Sequence, residues 1–168
     1  VFKDGRLVAE NGQYLLDTNT KINNNKNDKI YDSVNVGKIS ADDFELPEGK
    51  KFRVIKLIND QIVTRKTNIS FNKNNVNNDD LKEKDIAKLA VVERHHRTGN
   101  VGMGLLGDFG LKEGAIATSV GHDSHNIIVA GFENKDMLTA VREIEKMNGG
   151  IVIIHKGEVV DKMPLPIA

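Results

Sequence analysis

The stretch "NIIVAGFENKDMLTAVREIEKMNGGIVIIH", residues 126–155, constrains the fold most. Its middle carries a helical period. Met137, Val141, Ile144 and Met147 recur at spacings of 3–4, with Leu138 beside them. That pattern predicts a helix with one buried stripe. Asn134 is placed to cap it, Asp136 sits in its first turn, and Gly149-Gly150 is placed to end it. Apolar segments flank the helix on both sides, "NIIVAG" before it and "GIVIIH" after it. Strand, helix and strand in this order predict a βαβ unit, and with it a layered domain of mixed α/β type.

The remaining segments supply strands. In "VFKDGRLVAENG" the pairs Asp4-Gly5 and Asn11-Gly12 are hairpin turn signals, because a type I′ turn needs positive φ at both central residues. Residues 1–16 therefore read as small antiparallel strands. "SADDFELPEG", 40–49, reads as a capped helical turn ended by Pro47 and Gly49, and as a domain boundary. "KKFRVIKLI" and "QIVTRKTNISF" read as a β pair across Asn59-Asp60. "DIAKLAVVER", 85–94, has a nearly continuous apolar end and reads as a central strand. The last hairpin is placed at Lys156-Gly157. Two asparagine- and lysine-rich runs, 19–29 and 72–80, show no apolar period and read as exposed loops.

Composition bounds the function. Lys+Arg and Asp+Glu number 24 each, so the net charge is zero, which argues against nucleic acid or an acidic membrane surface as the main partner. No window reaches the roughly 18 apolar residues of a membrane span, and no signal peptide stands at the start. The chain has no cysteine. That excludes disulfides, thiolate zinc sites, a cysteine nucleophile and the deaminases built on Pro-Cys-x-x-Cys. A cytoplasmic location fits this usage. The chain opens on Val1 and ends on "PLPIA", and both ends read as cut.

Three stretches hold residues able to carry chemistry. In "GNVGMGLLGDFG", 99–110, the order G-x-G-x-x-G occurs at Gly102, Gly104 and Gly107. It does not clearly open a helix and lacks a convincing acidic partner further on, so it reads as strand and turns with close backbone approach. In "VVERHHRTGN", 91–100, a buried strand ends in Glu93, Arg94, His95, His96 and Arg97. Strand ends of mixed sheets commonly bind ligands. On a strand His95 and His96 would point to opposite faces, so one of them could join a given site. The plainer reading is a polar strand end with a Glu–Arg pair.

In "GHDSHNIIV", 121–129, His122, Asp123, Ser124, His125 and Asn126 stand in a row before a strand. Locally this run admits a side-chain-bonded turn, a ligand contact, or a metal site completed by His95 or His96. A Ser124 nucleophile lacks the Gly-x-Ser-x-Gly elbow that such serines need.

The run "AVVERHHRTGNVGMGLLGDFGLKEGAIATSVGHDSHNIIVAG" closely resembles the C-terminal region of bacterial and archaeal adenine deaminases, of the amidohydrolase superfamily. "DDFELP", "DQIVT" and "GGIVIIHKGEVVDKMPLPIA" resemble it too, so the likeness covers all but the asparagine-rich loops. The resemblance implies metal-dependent hydrolysis of adenine to hypoxanthine and ammonia in a parent enzyme, by iron or manganese held in a (β/α)8 barrel.

It implies that residues 1–43 are the returning strands of a small β-sandwich beside that barrel, and that 44–168 belong to the C-terminal domain, with the barrel absent. The fold expected is thus α/β (mixed α+β): a β-sandwich segment, then a mixed-sheet domain. No metal and no catalytic residue of its own are expected in this stretch, and the chain alone is expected to be inactive. His122, Asp123, Ser124, His125 and Asn126 become candidates for pocket contacts or for support of metal ligands. Glu93, His95 and His96 are candidates for the same cleft. The expected partners are adenine, the barrel and further copies in a homo-oligomer. Two alternatives stand beside this: a non-catalytic oligomerisation or lid module, and a small metallohydrolase using His122, Asp123, His125 and His95.

Overall fold

The computed structural model describes residues 1–15 and 32–166. The asparagine-rich run at 19–29 lies outside the described residues. The N-terminal turns form as the Asp-Gly and Asn-Gly pairs require. Strands β1 (Phe2–Lys3) and β2 (Arg6–Leu7) pair across Asp4 and Gly5, at φ 50° and 75°. Strands β3 (Ala9–Glu10) and β4 (Gln13–Tyr14) pair across Asn11 and Gly12, at φ 50° and 77°.

Residues 40–44 then make the capped turn. Ser40 and Asp43 close a capping box on a 3-10 turn, Ala41–Phe44, and Phe44 is fully buried. Val34, Val36 and Ile39, just before it, are buried in the same core as the strands that follow.

An eight-stranded mixed sheet dominates the fold. In chain order its strands are β5 (Lys51–Lys56), β6 (Arg65–Ser70), β7 (Ile86–Val92), β8 (Val101–Gly107), β9 (Ala115–Thr118), β10 (Ile127–Gly131), β11 (Gly150–His155) and β12 (Glu158–Pro164). The spatial order is β12-β11-β9-β10-β7-β8-β5-β6, and only β5–β8 pair in parallel. Strand β7 is central, as its apolar run implies. It buries Ile86, Ala87, Lys88, Ala90 and Val92. The glycine-rich 101–107 is the strand β8 and opens no helix.

Among the described residues two α-helices join the sheet: α1 (Asn78–Lys82) and α2 (Asn134–Met147). Helix α2 lays Met137, Ala140, Val141 and Ile144 on the sheet, each fully buried. Burial of four such side chains contributes several kcal/mol. Its C-terminus turns through Asn148 in the left-handed region, followed by Gly149 and Gly150 at φ 111° and 143°.

Three expectations need correction. Strands β10 and β11 are not neighbours: β9 lies between them, antiparallel to both, so the βαβ unit is split by an inserted strand. Asn134 does not cap α2. It is the first helical residue, Glu133 precedes it as N-cap, and its side chain instead takes Lys88 Nζ and donates to Glu45 Oε1 at 2.9 Å. The run 72–80 is not loop throughout, because Asn77 and Asp80 form a capping box that starts α1 and buries Leu81. Among the described residues no helix is long and apolar enough to cross a membrane.

Candidate functional site

Strands β7 and β10 pair antiparallel with Val92 opposite Ile127. The chain leaving β7 and the chain arriving at β10 therefore lie side by side at one end of the sheet. This register brings the polar runs 93–98 and 121–126 together, although about thirty residues separate them in sequence.

Glu93 organises the first run. Its Oε1 accepts from the backbone N–H of His95 at 2.5 Å and of His96 at 2.7 Å. Its Oε2 accepts from Thr98 N–H at 3.0 Å and Thr98 Oγ1–H at 2.9 Å. Partial burial pushes the carboxyl pKa up, but the bonds from Thr98, His96 and His95 outweigh it and hold it down at about 2. The strand stops here because this side chain takes the N–H groups a ladder would need. His95 and His96 therefore do not alternate across a strand. Both sit exposed on one turn, with ring centroids 6.2 Å apart. The expected Glu–Arg pair gives way to a carboxylate saturated by its own turn. Arg97 sits in the left-handed region at φ 55°. Gly37 presses on this turn so closely that a Cβ would meet Gly99 N at 2.4 Å and Arg97 O at 2.8 Å.

Two side chains of this turn hold the second run. Arg94 is 4% exposed and its Nε–H donates to the carbonyl of His125. Burial lowers its guanidinium pKa. His95 Nε2 lies 2.9 Å from the carbonyl of Ser124. The loop closes on itself through His125 N–H to Gly121 O at 2.9 Å and Ser124 N–H to His122 O at 3.1 Å. Asp123 and His125 take positive φ, 71° and 49°. Asn126 N–H lies 3.4 Å from Ser124 Oγ, while Asn126 Oδ1 is buried with no hydrogen-bond partner among the described residues.

The backbone of 121–126 is thus anchored inward while its side chains face out. His122 and Asp123 are 96% and 88% exposed and pair with each other at 2.9 Å. Ser124 and His125 are exposed as well. The structure brings Glu93, His95, His96 and the five residues 122–126 into one neighbourhood. Within it Glu93 and His95 shape the backbone, and His122, Asp123 and His125 present side chains outward. Among the described residues no three His, Cys, Asp or Glu side chains are grouped to hold a metal ion.

A second concavity lies at the other end of β7 and β10, a cleft of about 900 Å³ whose lining includes Lys88, Glu45, Glu133 and His155. Lys88 is 6% exposed, and burial lowers its pKa against the opposing pull of Glu45 and Glu133. Asp136, also buried, accepts from Gly157 N–H at 2.7 Å and Lys156 N–H at 3.2 Å, tying α2 to the β11–β12 turn. Sequence reasoning missed this cleft. Strand parity was the available signal: Lys88 shares a side with Ile86, Ala90 and Val92, the core-facing set.

Comparison with known proteins agrees with the resemblance read from the residues. A family profile described as adenine deaminase C-terminal domain matches residues 61–168. An adenine deaminase of Petrotoga mobilis is 46% identical over 99% of this chain, which spans 29% of that protein. An adenine deaminase 2 of Carboxydothermus hydrogenoformans is 43% identical over 100% of the chain and 29% of its own length. An adenine deaminase 2 of Latilactobacillus sakei is 41% identical over 99% of the chain and 28% of its own length. The chain spans under a third of the length of these relatives. On the profile match and the chain-wide identity together, the chain belongs to the adenine deaminase C-terminal domain family.

Proposed function

We propose that this chain is the C-terminal part of an adenine deaminase, which hydrolyses adenine to hypoxanthine and ammonia, and that the 121–126 loop faces the catalytic barrel of that enzyme. The observation that carries the loop's role is its two-sidedness. Carbonyls of Ser124 and His125 are held from within by His95 and Arg94, while the side chains of His122, Asp123 and His125 are turned to solvent. A surface loop kept in a fixed, partly left-handed shape suits contact with another surface better than it suits solvent. Asn126 Oδ1, buried and without a partner among the described residues, fits the same reading, since buried acceptors are rarely left unpaired.

The iron or manganese centre expected in such an enzyme does not fit these residues. Glu93's carboxylate already accepts four hydrogen bonds, and His95 Nε2 is engaged by Ser124 O. The metal chemistry belongs to the barrel, and this region supplies contacts that order the pocket or touch the base. The N-terminal hairpins of residues 1–15 would belong to the strands that flank the barrel. The enzyme would work in the cytoplasm, in purine salvage.

The test is kinetic. In an adenine deaminase carrying this region, His122→Ala with His125→Ala should lower kcat/KM by about ten- to a hundredfold. An unchanged kcat/KM makes the loop structural. The 168-residue chain alone, supplied with Mn²⁺ or Fe²⁺, should leave the adenine absorbance unchanged; clear turnover would overturn the assignment of chemistry to the barrel.

A further inference from the structure

Lys88 stands on the central strand β7 and lines the cleft of about 900 Å³ at the sheet end away from the 121–126 loop. A cleft of this size suits a small-molecule site. The side chain is buried. An ammonium carries three N–H donors, and burial makes each unmet one costly. Among the described residues Lys88 Nζ meets one acceptor, Asn134 Oδ1. Asp136, also buried in the lining, is spent on Lys156 and Gly157 N–H. Glu45 and Glu133 are near enough to pull on the Lys88 charge, yet among the described residues neither forms an ion pair with it. Two donors of a buried ammonium are thus open to the cleft.

The cleft itself shows what such groups recognise. The carboxamide of Asn134 bridges Lys88 and Glu45: its Oδ1 accepts from Lys88 Nζ, and its Nδ2 donates to Glu45 Oε1 at 2.9 Å. Asn78 Nδ2 donates to Glu133 Oε1 at 2.8 Å. Glu133 therefore takes an amide N–H on one oxygen and keeps the other open among the described residues. Open ammonium donors near an open carboxylate oxygen repeat the pairing that Asn134 fills once. Charge narrows the class further. Five carboxylates and four lysines line the cleft, so no positive excess selects an anion. A neutral group also costs less to bury than a charged one.

We propose that this cleft binds a small neutral ligand through an amide edge, a carbonyl oxygen next to an N–H. The oxygen accepts from Lys88 Nζ, and the N–H donates to the open oxygen of Glu133. Hypoxanthine carries this edge as C6=O beside N1–H, and its choice as a probe rests on the deaminase reading. Nicotinamide carries it as a carboxamide and owes nothing to that reading. The cleft and the 121–126 loop lie at opposite ends of β7 and β10, so the amides that respond tell the two places apart.

The test is an NMR titration of the 168-residue chain with each probe to about 2 mM, within reach of a ligand of roughly ten non-hydrogen atoms. Both probes should give saturable shifts at the amides of Glu133, Asn134 and Gly157, with residues 121–126 unmoved. 1-Methylhypoxanthine lacks the N–H and should bind about tenfold more weakly or worse. Lys88→Met should weaken both probes by about tenfold or more. Should that variant fail to fold, Glu133→Gln, at an exposed position, decides in its place, with about fivefold weaker binding expected. Nicotinamide binding without hypoxanthine keeps the site and removes its link to the deaminase reading. Shifts confined to 121–126 overturn the cleft while favouring that reading. Absence of saturable shifts with both probes overturns the proposal and leaves the Lys88 donors to water. Inorganic phosphate moving the same amides where the probes do not overturns it in favour of an anion site. Equal binding of 1-methylhypoxanthine overturns the amide edge.

Discussion

Glu93 offers the sharpest quantitative test of how the site is held. Its carboxylate accepts three backbone N–H groups and one hydroxyl, and its pKa in the folded chain is about 2. An unperturbed glutamate titrates near 4.3–4.5. A depressed folded pKa means stability that is fully present above the unfolded value and is lost as pH falls toward the folded one. The window is therefore about pH 4.5 down to 2. The full difference corresponds to about 3 kcal/mol at neutral pH. Solvent reaches this carboxylate, so screening reduces the expected contribution to about 1–2 kcal/mol.

Glu93→Gln keeps the shape and one acceptor oxygen but presents an NH₂ where the other oxygen served Thr98. At pH 7 it should be less stable by about 1–2 kcal/mol in urea denaturation. The gap between wild type and variant should close on acidification, with roughly three quarters of it gone by pH 2.5. Amide exchange at His95, His96 and Thr98 should accelerate in the variant at neutral pH. Parallel stability curves from pH 7 to 2.5 would refute the reasoning, because they would show that the ionised carboxylate does no more than an amide.

Asp136→Ala should cost about 2–4 kcal/mol, since it strips a buried charged acceptor from Lys156 and Gly157 N–H; Asp136→Asn should cost about half as much, both read by denaturant midpoints. Gly37→Ala should cost more than about 2 kcal/mol and broaden the NMR signals of residues 93–99, because its Cβ would fall 2.4 Å from Gly99 N, against backbone that cannot rotate away. His125→Gly should stabilise the chain by about 0.5–1 kcal/mol, because a left-handed histidine is relieved of strain that exceeds the added freedom of glycine in the unfolded state. The same variant should reduce kcat/KM in an intact deaminase; a gain in both would argue against a functional side chain at this position.

What was legible in the sequence follows from how local each cause is. The N-terminal hairpins are written in Asp4-Gly5 and Asn11-Gly12, whose positive φ values need no distant partner. Helix α2 is legible because its stripe repeats over four turns. Helix α1 is not, because it has one buried apolar residue, Leu81, and depends on a reciprocal cap between Asn77 and Asp80 hidden in an asparagine run. The insertion of β9 between β10 and β11 is invisible to periodicity, which gives the period of each strand and not its neighbours. Strand parity failed at His95 and His96 because Glu93 competes for their N–H groups and ends the ladder one residue after Val92. In the sequence Arg94 is one more member of a polar strand end. One partner of its side chain is a carbonyl thirty-one positions away, and no local pattern announces such a bond.

The placement of Arg94 bears on what the candidate site is. A row of histidine, aspartate and serine suggests that the reactive side chains are the site and the rest is support. Here the division runs the other way. His122 and Asp123 lie almost wholly in solvent, where their contact is worth little to the fold. Left-handed backbone at Asp123 and His125 costs of order 1 kcal/mol each, and contacts from outside the loop help to hold it. Arg94 and His95 do so through the carbonyls of His125 and Ser124, and Glu93 in turn fixes the turn from which both reach. Glycine would take the same φ at these positions without strain. A chain that instead keeps bulky polar residues in strained positions, and spends a buried arginine to hold them, has fixed the direction in which those side chains point. On the function proposed above, that orientation serves a surface placed opposite the loop.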